Sequence, residues 1–339
     1  VRFFGCNLKC EGFGQKAPKD PSTYILPYKT LDLSKFKSLS ELPVFEYGCD
    51  SSYSWSPRYK KLAKDYTADQ VVKEIQQLGE THLGLCMSGK EFIDDLTPWY
   101  HPQTGMPAQL CFTGGEPMLY QKSINEICES LHDLVIAPPQ ITIETNATIP
   151  LVDLNIRLLT QHLHISCSPK LYSVSGEARG IHYDVITQYI EEADSGAIKF
   201  VHNGSEAAWD EIDNHMEQIA NLLDTDRRWQ VWIMPAHATL EKGNSDYISK
   251  LCDEALKRGF WFSLRTHVYA YGNEIGKIIN SKVRIKGLNE TDSITVQQEL
   301  NILKKIEQAE NRIKIIKTQQ NDIDLRKTST TESGRRDLG

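Results

Sequence analysis

The chain has 339 residues, of which 40% are hydrophobic and 24% charged, and its formal net charge is −7. This composition is typical of a soluble chain that forms one large domain or two small ones. The negative charge argues against a general nucleic-acid-binding or anionic-membrane surface, since both require a basic field. Without a membrane-length apolar run or a signal-peptide layout, we expect a cytoplasmic protein.

The first predicted element is a short buried strand over residues 1–4 that ends at Gly5. Because this strand begins at Val1, we expect a further segment upstream of it. Residues 11–48 are rich in Gly, Pro, Lys, Ser and Asp, which predicts an ordered loop or lid with little regular structure. A loop of this length inside a compact domain is either functional or evidence against the assignment.

A helix is predicted from Thr67, which can cap it, with an apolar stripe formed by Val71, Val72, Ile75 and Leu78. Residues 81–108 contain several Gly and Pro residues and predict a second insertion before the next strand.

Apolar strands then alternate with amphipathic helices. The predicted strands are Leu110–Thr113, Gln140–Glu144, Leu163–Cys167, Ala197–Val201, Gln230–Met234 and Trp261–Thr266, and the helices lie near 121–135, 150–161, 182–194, 205–223 and 244–258. This alternation indicates a parallel sheet. With the first strand included, the fold class is α/β, in a partial or full (β/α) barrel.

The character of the chain changes after Gly272-Asn273. Residues 292–318 are strongly charged but keep apolar residues at near-heptad spacing, which predicts a long amphipathic helix or coiled-coil arm. Residues 320–339 are polar and predict disorder. We therefore expect a barrel over 1–275 and a helical and disordered tail over 276–339.

Eight cysteines are too few for a disulfide-stapled secreted domain of this length. Five of them have mostly apolar neighbours and are expected to be buried packing residues: Cys86, Cys111, Cys128, Cys167 and Cys252. The other three, Cys6, Cys10 and Cys49, lie in short polar stretches. Three thiolates leave one position of a metal site open, as a reactive metal centre requires. The 38 residues between Cys10 and Cys49 make spacing alone weak evidence.

A second motif, Gly114-Gly115-Glu116-Pro117, follows the predicted strand Leu110–Thr113. The glycines allow close approach of the backbone to a ligand, and Glu116 can accept hydrogen bonds from an ammonium group. By itself this tetrapeptide is at least equally typical of a simple strand-to-helix turn.

Together the two motifs resemble the radical S-adenosylmethionine (SAM) superfamily. Within it, the chain is most similar to the 7-carboxy-7-deazaguanine synthase family, which makes the deazapurine core of queuosine-type bases. The stretch Gly48-Cys49-Asp50-Ser51-Ser52-Tyr53-Ser54-Trp55 resembles the end of that family's Trp-Cys-Asp-Thr/Ser…Ser-Trp signature. The family places its cysteines as C-x3-C-x2-C, and the third would fall here at Phe13. The resemblance, which covers roughly residues 1–275, therefore requires residues 11–48 to be an insertion inside the cluster loop.

The resemblance implies a [4Fe–4S] cluster, SAM and Mg2+ as cofactors. It implies that Cys6, Cys10 and Cys49 bind the cluster and that Ser51 binds Mg2+, although Ser51 is also compatible with a plain turn. The SAM contacts implied are Gly48, Asp50, Gly114, Gly115, Glu116, Ser168, Pro169 and Lys170. Arg2 and Thr113 are implied to bind substrate, with an exposed strand arginine as the alternative for Arg2. Glu144-Thr145-Asn146-Ala147-Thr148, Lys199 and Met234-Pro235 also fit the pattern, without a definite contact.

The implied reaction converts 6-carboxy-5,6,7,8-tetrahydropterin into 7-carboxy-7-deazaguanine with loss of ammonia, through radical ring contraction. An electron donor such as flavodoxin and a second copy of the chain are the partners implied, with no direct nucleic-acid or membrane partner. Two alternatives stay open. One is a radical SAM activase that installs a glycyl radical on a partner enzyme such as anaerobic ribonucleotide reductase. The other is a zinc-stabilised interaction protein.

Overall fold

Seven parallel strands form one sheet whose order follows the chain. They are β1 (Arg2–Phe3), β2 (Leu110–Gly114), β3 (Gln140–Thr145), β4 (His162–Cys167), β5 (Ser195–His202), β6 (Gln230–Pro235) and β7 (Trp261–Phe262). The computed structural model describes residues 1–88, 97–155, 162–223, 227–236, 247–266 and 268. Within these residues the sheet does not close, so the predicted α/β class is confirmed as a partial β/α barrel.

Six helices lie between or after the strands in the described residues. They are α1 (Ala68–Leu83), α2 (Gln121–Asp133), α3 (Tyr172–Ser175), α4 (Tyr183–Glu192), α5 (Glu206–Leu222) and α6 (Tyr247–Lys257). The predicted cap of α1 is confirmed, because the Thr67 side chain accepts the Gln70 backbone N–H and the Gln70 side chain accepts that of Thr67. None of the described helices combines the length and apolar character needed to cross a bilayer.

The two faces of the sheet differ, because one packs against the helices and the other lines a cavity. Ile143, Ile165 and Phe200 are fully buried against the helices. Their neighbours Glu144, Ser166 and Lys199 point the opposite way, because side chains alternate along a strand. Several polar side chains therefore share the face of the sheet opposite the helices.

Two predicted elements differ in the structure. Residues 150–155 are not helical, and the rest of the predicted helix over 150–161 lies outside the described residues. The N–H groups of Leu151 and Val152 instead donate to side chains, Gln188 Oε1 at 3.0 Å and Gln121 Oε1 at 3.1 Å, which stabilise an irregular connection. Strand β7 has two residues rather than the predicted six over 261–266.

The cysteine prediction is partly wrong. All eight cysteines are free, and Cys128 and Cys167 are buried as expected. Cys111 and Cys252 are only half-buried, and Cys86 is exposed. Cys86 follows Gly84, whose left-handed φ of +65° ends α1, so it lies in a surface connection rather than in the core.

Residues 11–48 are all described and contain four short 3-10 turns but no α-helix or strand. The turns are Pro21–Thr23, Pro27–Lys29, Leu33–Lys35 and Leu39–Glu41. Tyr28, Leu42 and Phe45 of this segment form an apolar cluster with Tyr59, and this cluster is separate from the barrel core.

The chain divides into two units, Val1–Asn280 and Ser281–Gly339. The second unit, with the predicted helix over 292–318 and the polar tail, lies outside the described residues, as do residues 89–96 of the predicted second insertion.

Candidate functional site

A cavity of about 280 Å³ lies at the carboxyl ends of the strands. This edge of a parallel α/β sheet is where ligands generally bind. Most of the predicted site residues line the cavity: Cys6, Cys10, Gly48, Cys49, Asp50, Ser51, Gly114, Gly115, Ser168 and Lys170. Arg2, Thr113, Glu116 and Pro169 do not.

Cys49 reaches the cavity because the insertion closes on itself. The Gly48 N–H donates to the Phe13 carbonyl oxygen at 2.8 Å. Gly14 has a φ of +72°, and a Cβ there would lie 2.6 Å from the Glu46 carbonyl oxygen. We call these contacts between residues 13–14 and 46–48 the neck. The neck brings Cys49 beside Phe13, the position where the family spacing would put a third cysteine.

The loop of Cys6 and Cys10 is held by backbone contacts. Cys10 has a left-handed φ of +52°, uncommon outside glycine. The N–H groups of Lys9 and Cys10 both donate to Glu177 Oε1, at 2.7 and 2.5 Å. The Gly12 N–H donates to the Ser175 carbonyl oxygen at 2.9 Å. The turn after α3 therefore fixes the cysteine loop.

The Cys6 sulfur accepts two weak hydrogen bonds, from the Leu8 N–H at 3.4 Å and from Asn146 Nδ2 at 3.7 Å. Asn146 Nδ2 also donates to Asn7 Oδ1 at 2.9 Å. The predicted Glu144–Thr148 segment thus contacts the cysteine loop directly.

Burial is the main influence on the three thiols. It raises the pKa of Cys6 and Cys10, and the nearby charge of Cys49 adds to the rise at Cys10. Burial, with the adjacent Asp50 charge, raises the pKa of Cys49 to about 12. In the chain alone the thiols are therefore protonated at neutral pH, and binding to a metal would deprotonate them.

The two glycines of the Gly114-Gly115 motif permit a close approach within the chain itself. A Cβ at Gly114 would overlap the Phe3 carbonyl oxygen, and a Cβ at Gly115 would overlap that of Gly5. The Glu116 N–H donates to the Gly5 carbonyl oxygen at 2.7 Å. The motif thus joins β2 to the start of the cysteine loop while one side of both glycines faces the cavity.

The Glu116 carboxylate lies behind the cavity wall and is fully buried. It accepts the Thr145 hydroxyl and the Asn146 N–H, both at 2.7 Å, and the Met118 N–H at 3.0 Å. Burial raises the pKa of Glu116, against the effect of these bonds. In this structure Glu116 holds the Thr145–Asn146 turn rather than offering an acceptor to a ligand.

Asp50 and Ser51 face the cavity next to Cys49. Ser51 Oγ donates to Asp50 Oδ1 at 3.2 Å, and Arg265 forms an ion pair with Asp50 Oδ2. Burial favours a higher pKa for Asp50, but the charge and hydrogen bond of Arg265 outweigh it and hold the pKa at about 2. Asp50 is therefore ionised, and with the Ser51 hydroxyl it offers the oxygen ligands that Mg2+ prefers.

The Ser168–Lys170 motif follows β4. Lys170 Nζ donates to Ser168 Oγ at 2.9 Å, and the Ser168 N–H donates to the Thr145 carbonyl oxygen at 2.7 Å. Pro169 is buried. Lys170 supplies a positive charge on the wall of the cavity, while Pro169 shapes the turn.

The two predicted substrate residues lie beside the cavity. Arg2 is exposed, donates to the Gly114 carbonyl oxygen at 3.3 Å and lies over the Tyr53 ring. The Thr113 hydroxyl donates to Glu144 Oε2 at 3.0 Å. Glu144 does line the cavity, and its Oε1 lies 3.9 Å from Lys199 Nζ. Thr113 is therefore linked to the cavity through its hydrogen bond to Glu144.

The sequence analysis missed Arg265, Glu177 and Ser166. Ser166 Oγ and Arg265 Nε are buried without a hydrogen-bond partner among the described residues, and both residues line the cavity. Ser166 lies two residues before Ser168. Because side chains alternate along a strand, this spacing could have indicated that the Ser166 side chain faces the same side as that of Ser168. No sequence signal marks Glu177 or Arg265, because their partners lie far away in the chain.

The cavity wall fits the implied cofactors in its donor chemistry. Three thiols, three lysines, an aspartate–serine pair and unpartnered buried polar atoms face one space. Among the described residues, no three His, Cys, Asp or Glu side chains are arranged to hold a single metal ion.

The sequence matches no protein-family model, and no curated protein matches it either.

Proposed function

We propose that this protein is a radical SAM enzyme of the 7-carboxy-7-deazaguanine synthase type. It would convert 6-carboxy-5,6,7,8-tetrahydropterin into 7-carboxy-7-deazaguanine with loss of ammonia. The observation that carries the proposal is the neck, because the hydrogen bond from Gly48 to Phe13 brings the distant Cys49 to the cavity that Cys6 and Cys10 also line.

Cys6, Cys10 and Cys49 would hold a [4Fe–4S] cluster, with the fourth iron left for SAM. When bound, the cluster and SAM supply the one-electron chemistry that removes a hydrogen atom from the substrate. The backbone at Gly114-Gly115 and the side chains of Ser168 and Lys170 would bind SAM. The cationic Lys170 suits its carboxylate.

Ser51 would hold Mg2+, which keeps several coordination positions for substrate oxygens and water, and the neighbouring Asp50 would contact SAM. Glu144 and Lys199, whose Oε1 and Nζ atoms lie 3.9 Å apart on the wall of the cavity, would orient the polar edges of the pterin ring. The apolar Val201, Met234 and Ala236 complete the wall and limit access of water to the reacting atoms. The proposal implies a reducing, cytoplasmic compartment with an electron donor such as flavodoxin.

The test starts with anaerobic reconstitution of the full chain with iron and sulfide. Bound iron, SAM cleavage and conversion of the carboxytetrahydropterin are then measured, the last by mass spectrometry with Mg2+ and a reductant. We expect the deazaguanine product from the wild type and from Cys252→Ala, whose half-buried cysteine in α6 is the matched control. Cys49→Ala is expected to bind less iron and to form no product.

Two other outcomes would overturn the proposal. SAM cleavage without conversion of the pterin would favour the activase. Wild-type protein that binds no iron–sulfur cluster would remove the radical SAM assignment altogether.

A further inference from the structure

The turn that follows α3 presents a carboxylate to the cysteine loop. Glu177 Oε1 accepts the N–H groups of Lys9 and Cys10 at 2.7 and 2.5 Å. Two charge-assisted hydrogen bonds to one oxygen are strong contacts for a half-buried side chain. They hold Cys10 in its left-handed conformation, which costs free energy unless the surroundings impose it.

The backbone at Glu177 is itself held by hydrogen bonds. The Glu177 N–H donates to Ser175 Oγ at 3.2 Å, and Ser175 Oγ donates to the Leu171 carbonyl oxygen at 2.7 Å. On the opposite side the Gly12 N–H reaches the Ser175 carbonyl oxygen, and a Cβ at Gly12 would lie 2.6 Å from that oxygen. The turn therefore contacts the loop through the Glu177 carboxylate at Lys9 and Cys10 and through a backbone hydrogen bond at Gly12.

Cys6 and Cys10 differ in where the neighbouring N–H groups point. At Cys6, the Leu8 N–H and Asn146 Nδ2 donate to the sulfur. At Cys10, the N–H groups of the loop donate to Glu177 instead. Hydrogen bonds to cluster sulfurs raise a reduction potential, and a negative charge nearby lowers it. Glu177 would lower the reduction potential in both ways, because it accepts the loop N–H groups in place of the sulfur and carries a negative charge.

We propose that Glu177 is a positioning residue that fixes the Cys6–Cys10 loop and lowers the reduction potential of the iron–sulfur group held there. The redox part rests on the proposed function, whereas the fixing of the loop does not. Asn146 has the opposite effect on the potential, through its bond to the Cys6 sulfur.

Three variants of the full chain separate charge from anchoring. Glu177→Gln keeps an acceptor oxygen for both N–H groups and removes the charge. Glu177→Ala removes both. Glu191→Gln neutralises an exposed carboxylate on α4 and is the matched control.

The first measurement is hydrogen exchange of the iron-free protein, read on peptides that cover residues 6–13. We expect faster exchange in Glu177→Ala and wild-type exchange in Glu191→Gln, with Glu177→Gln close to wild type. Unchanged exchange in Glu177→Ala would overturn the anchoring role, whatever the protein binds.

The second measurement is a redox titration of the reconstituted protein, followed by visible absorption or electron paramagnetic resonance. We expect Glu177→Gln to bind as much iron as the wild type and to have a higher midpoint potential, with Glu191→Gln unchanged. Equal midpoints in all three proteins would overturn the redox role. A wild type that binds no cluster would overturn that role together with the proposed function, while the exchange result would still decide the anchoring.

Discussion

The two walls of the cavity are built in different ways. The sheet wall comes from parallel strands in regular register, whose buried residues belong to one large apolar core. The cysteine wall comes from irregular segments held by the neck, by Glu177 and by a smaller apolar cluster of their own. The first depends on many equivalent contacts and the second on a few particular ones. The destabilising effect of a single substitution should therefore extend through the sheet wall but remain local in the cysteine wall.

The largest expected effect compares the two apolar clusters. Phe112 in β2 and Tyr59, which packs in the smaller apolar cluster, are both fully buried. Truncating a buried aromatic residue costs about 3–5 kcal/mol. We expect Phe112→Ala to lower the global free energy of unfolding by this amount, and Tyr59→Ala to lower it less while exposing residues 24–62 to fast hydrogen exchange. Urea unfolding and exchange mass spectrometry measure the two effects, and equal global losses would contradict the separation of the walls.

The next effect is the pH dependence of stability in the sheet wall. Burial, aided by the Arg258 charge, lowers the pKa of His202 at the end of β5 from 6.5 to about 4. The unfolded chain binds a proton here near pH 6.5 while the folded chain stays neutral, so stability falls as the pH drops from 6.5 to 4. The shift corresponds to roughly 3 kcal/mol.

His202→Asn should remove this part of the pH dependence, and the exposed His132→Asn in α2 should not. Unfolding by urea at several pH values tests both. Asp50, whose pKa is about 2, keeps its ion pair with Arg265 throughout this window, so this contact of the cysteine wall should be unaffected. The same pH dependence in His202→Asn and wild type would contradict the assignment.

A smaller effect concerns the neck. Gly14 and Gly105 both have a positive φ, which costs an alanine about 1 kcal/mol or more. Only at Gly14 would the new Cβ also meet a neighbour, the Glu46 carbonyl oxygen, whereas Gly105 has nothing within 4 Å. We expect Gly14→Ala to be the more destabilising by about 1–2 kcal/mol.

The neck can also be followed through Cys49. Opening it should speed the labelling of the Cys49 thiol by an alkylating reagent in Gly14→Ala, but not in Gly105→Ala. Labelling is measured by peptide mass spectrometry. Equal rates in the two variants would show that the neck does not control the position of Cys49.

The smallest expected effect is at the cap of α1. Thr67→Ala removes the side-chain acceptor of the Gln70 N–H and should cost about 1 kcal/mol. Thr67→Ser keeps the hydroxyl and is the control. Thermal unfolding measures both, and no difference between them would show that the cap adds nothing to the global stability.

Sequence patterns predicted most of the sheet wall. Apolar residues at every second position in β3 and β4, and at three- and four-residue spacing in α2, define which face is buried without reference to any partner. The helix predicted over 150–161 fails where side chains accept the backbone N–H groups. The segment 150–155 is irregular because Gln121 and Gln188 take its N–H groups, and such side-chain contacts leave no periodic signal.

The candidate site divides in the same manner. The motifs marked Cys6, Cys10, Gly114, Gly115 and Lys170 as residues of one site, and the structure has all five on one cavity. The sequence assigned the Glu116 carboxylate to a ligand, whereas it is bound by Thr145 and Asn146 behind the wall. A motif gives the residue type at a position but not which of two nearby spaces the side chain enters.

The sequence by itself determined the parallel α/β class and the capped start of α1, because these follow from local periodicity and capping. Only the tertiary structure decided that Phe13 meets Gly48, that Glu177 holds Cys10 and that Arg265 pairs with Asp50. The first contact joins two backbone groups and the second has a backbone N–H as its donor, and all three join positions distant in the chain. Packing determines which groups meet in these contacts, so no residue type in the sequence predicts the contacts.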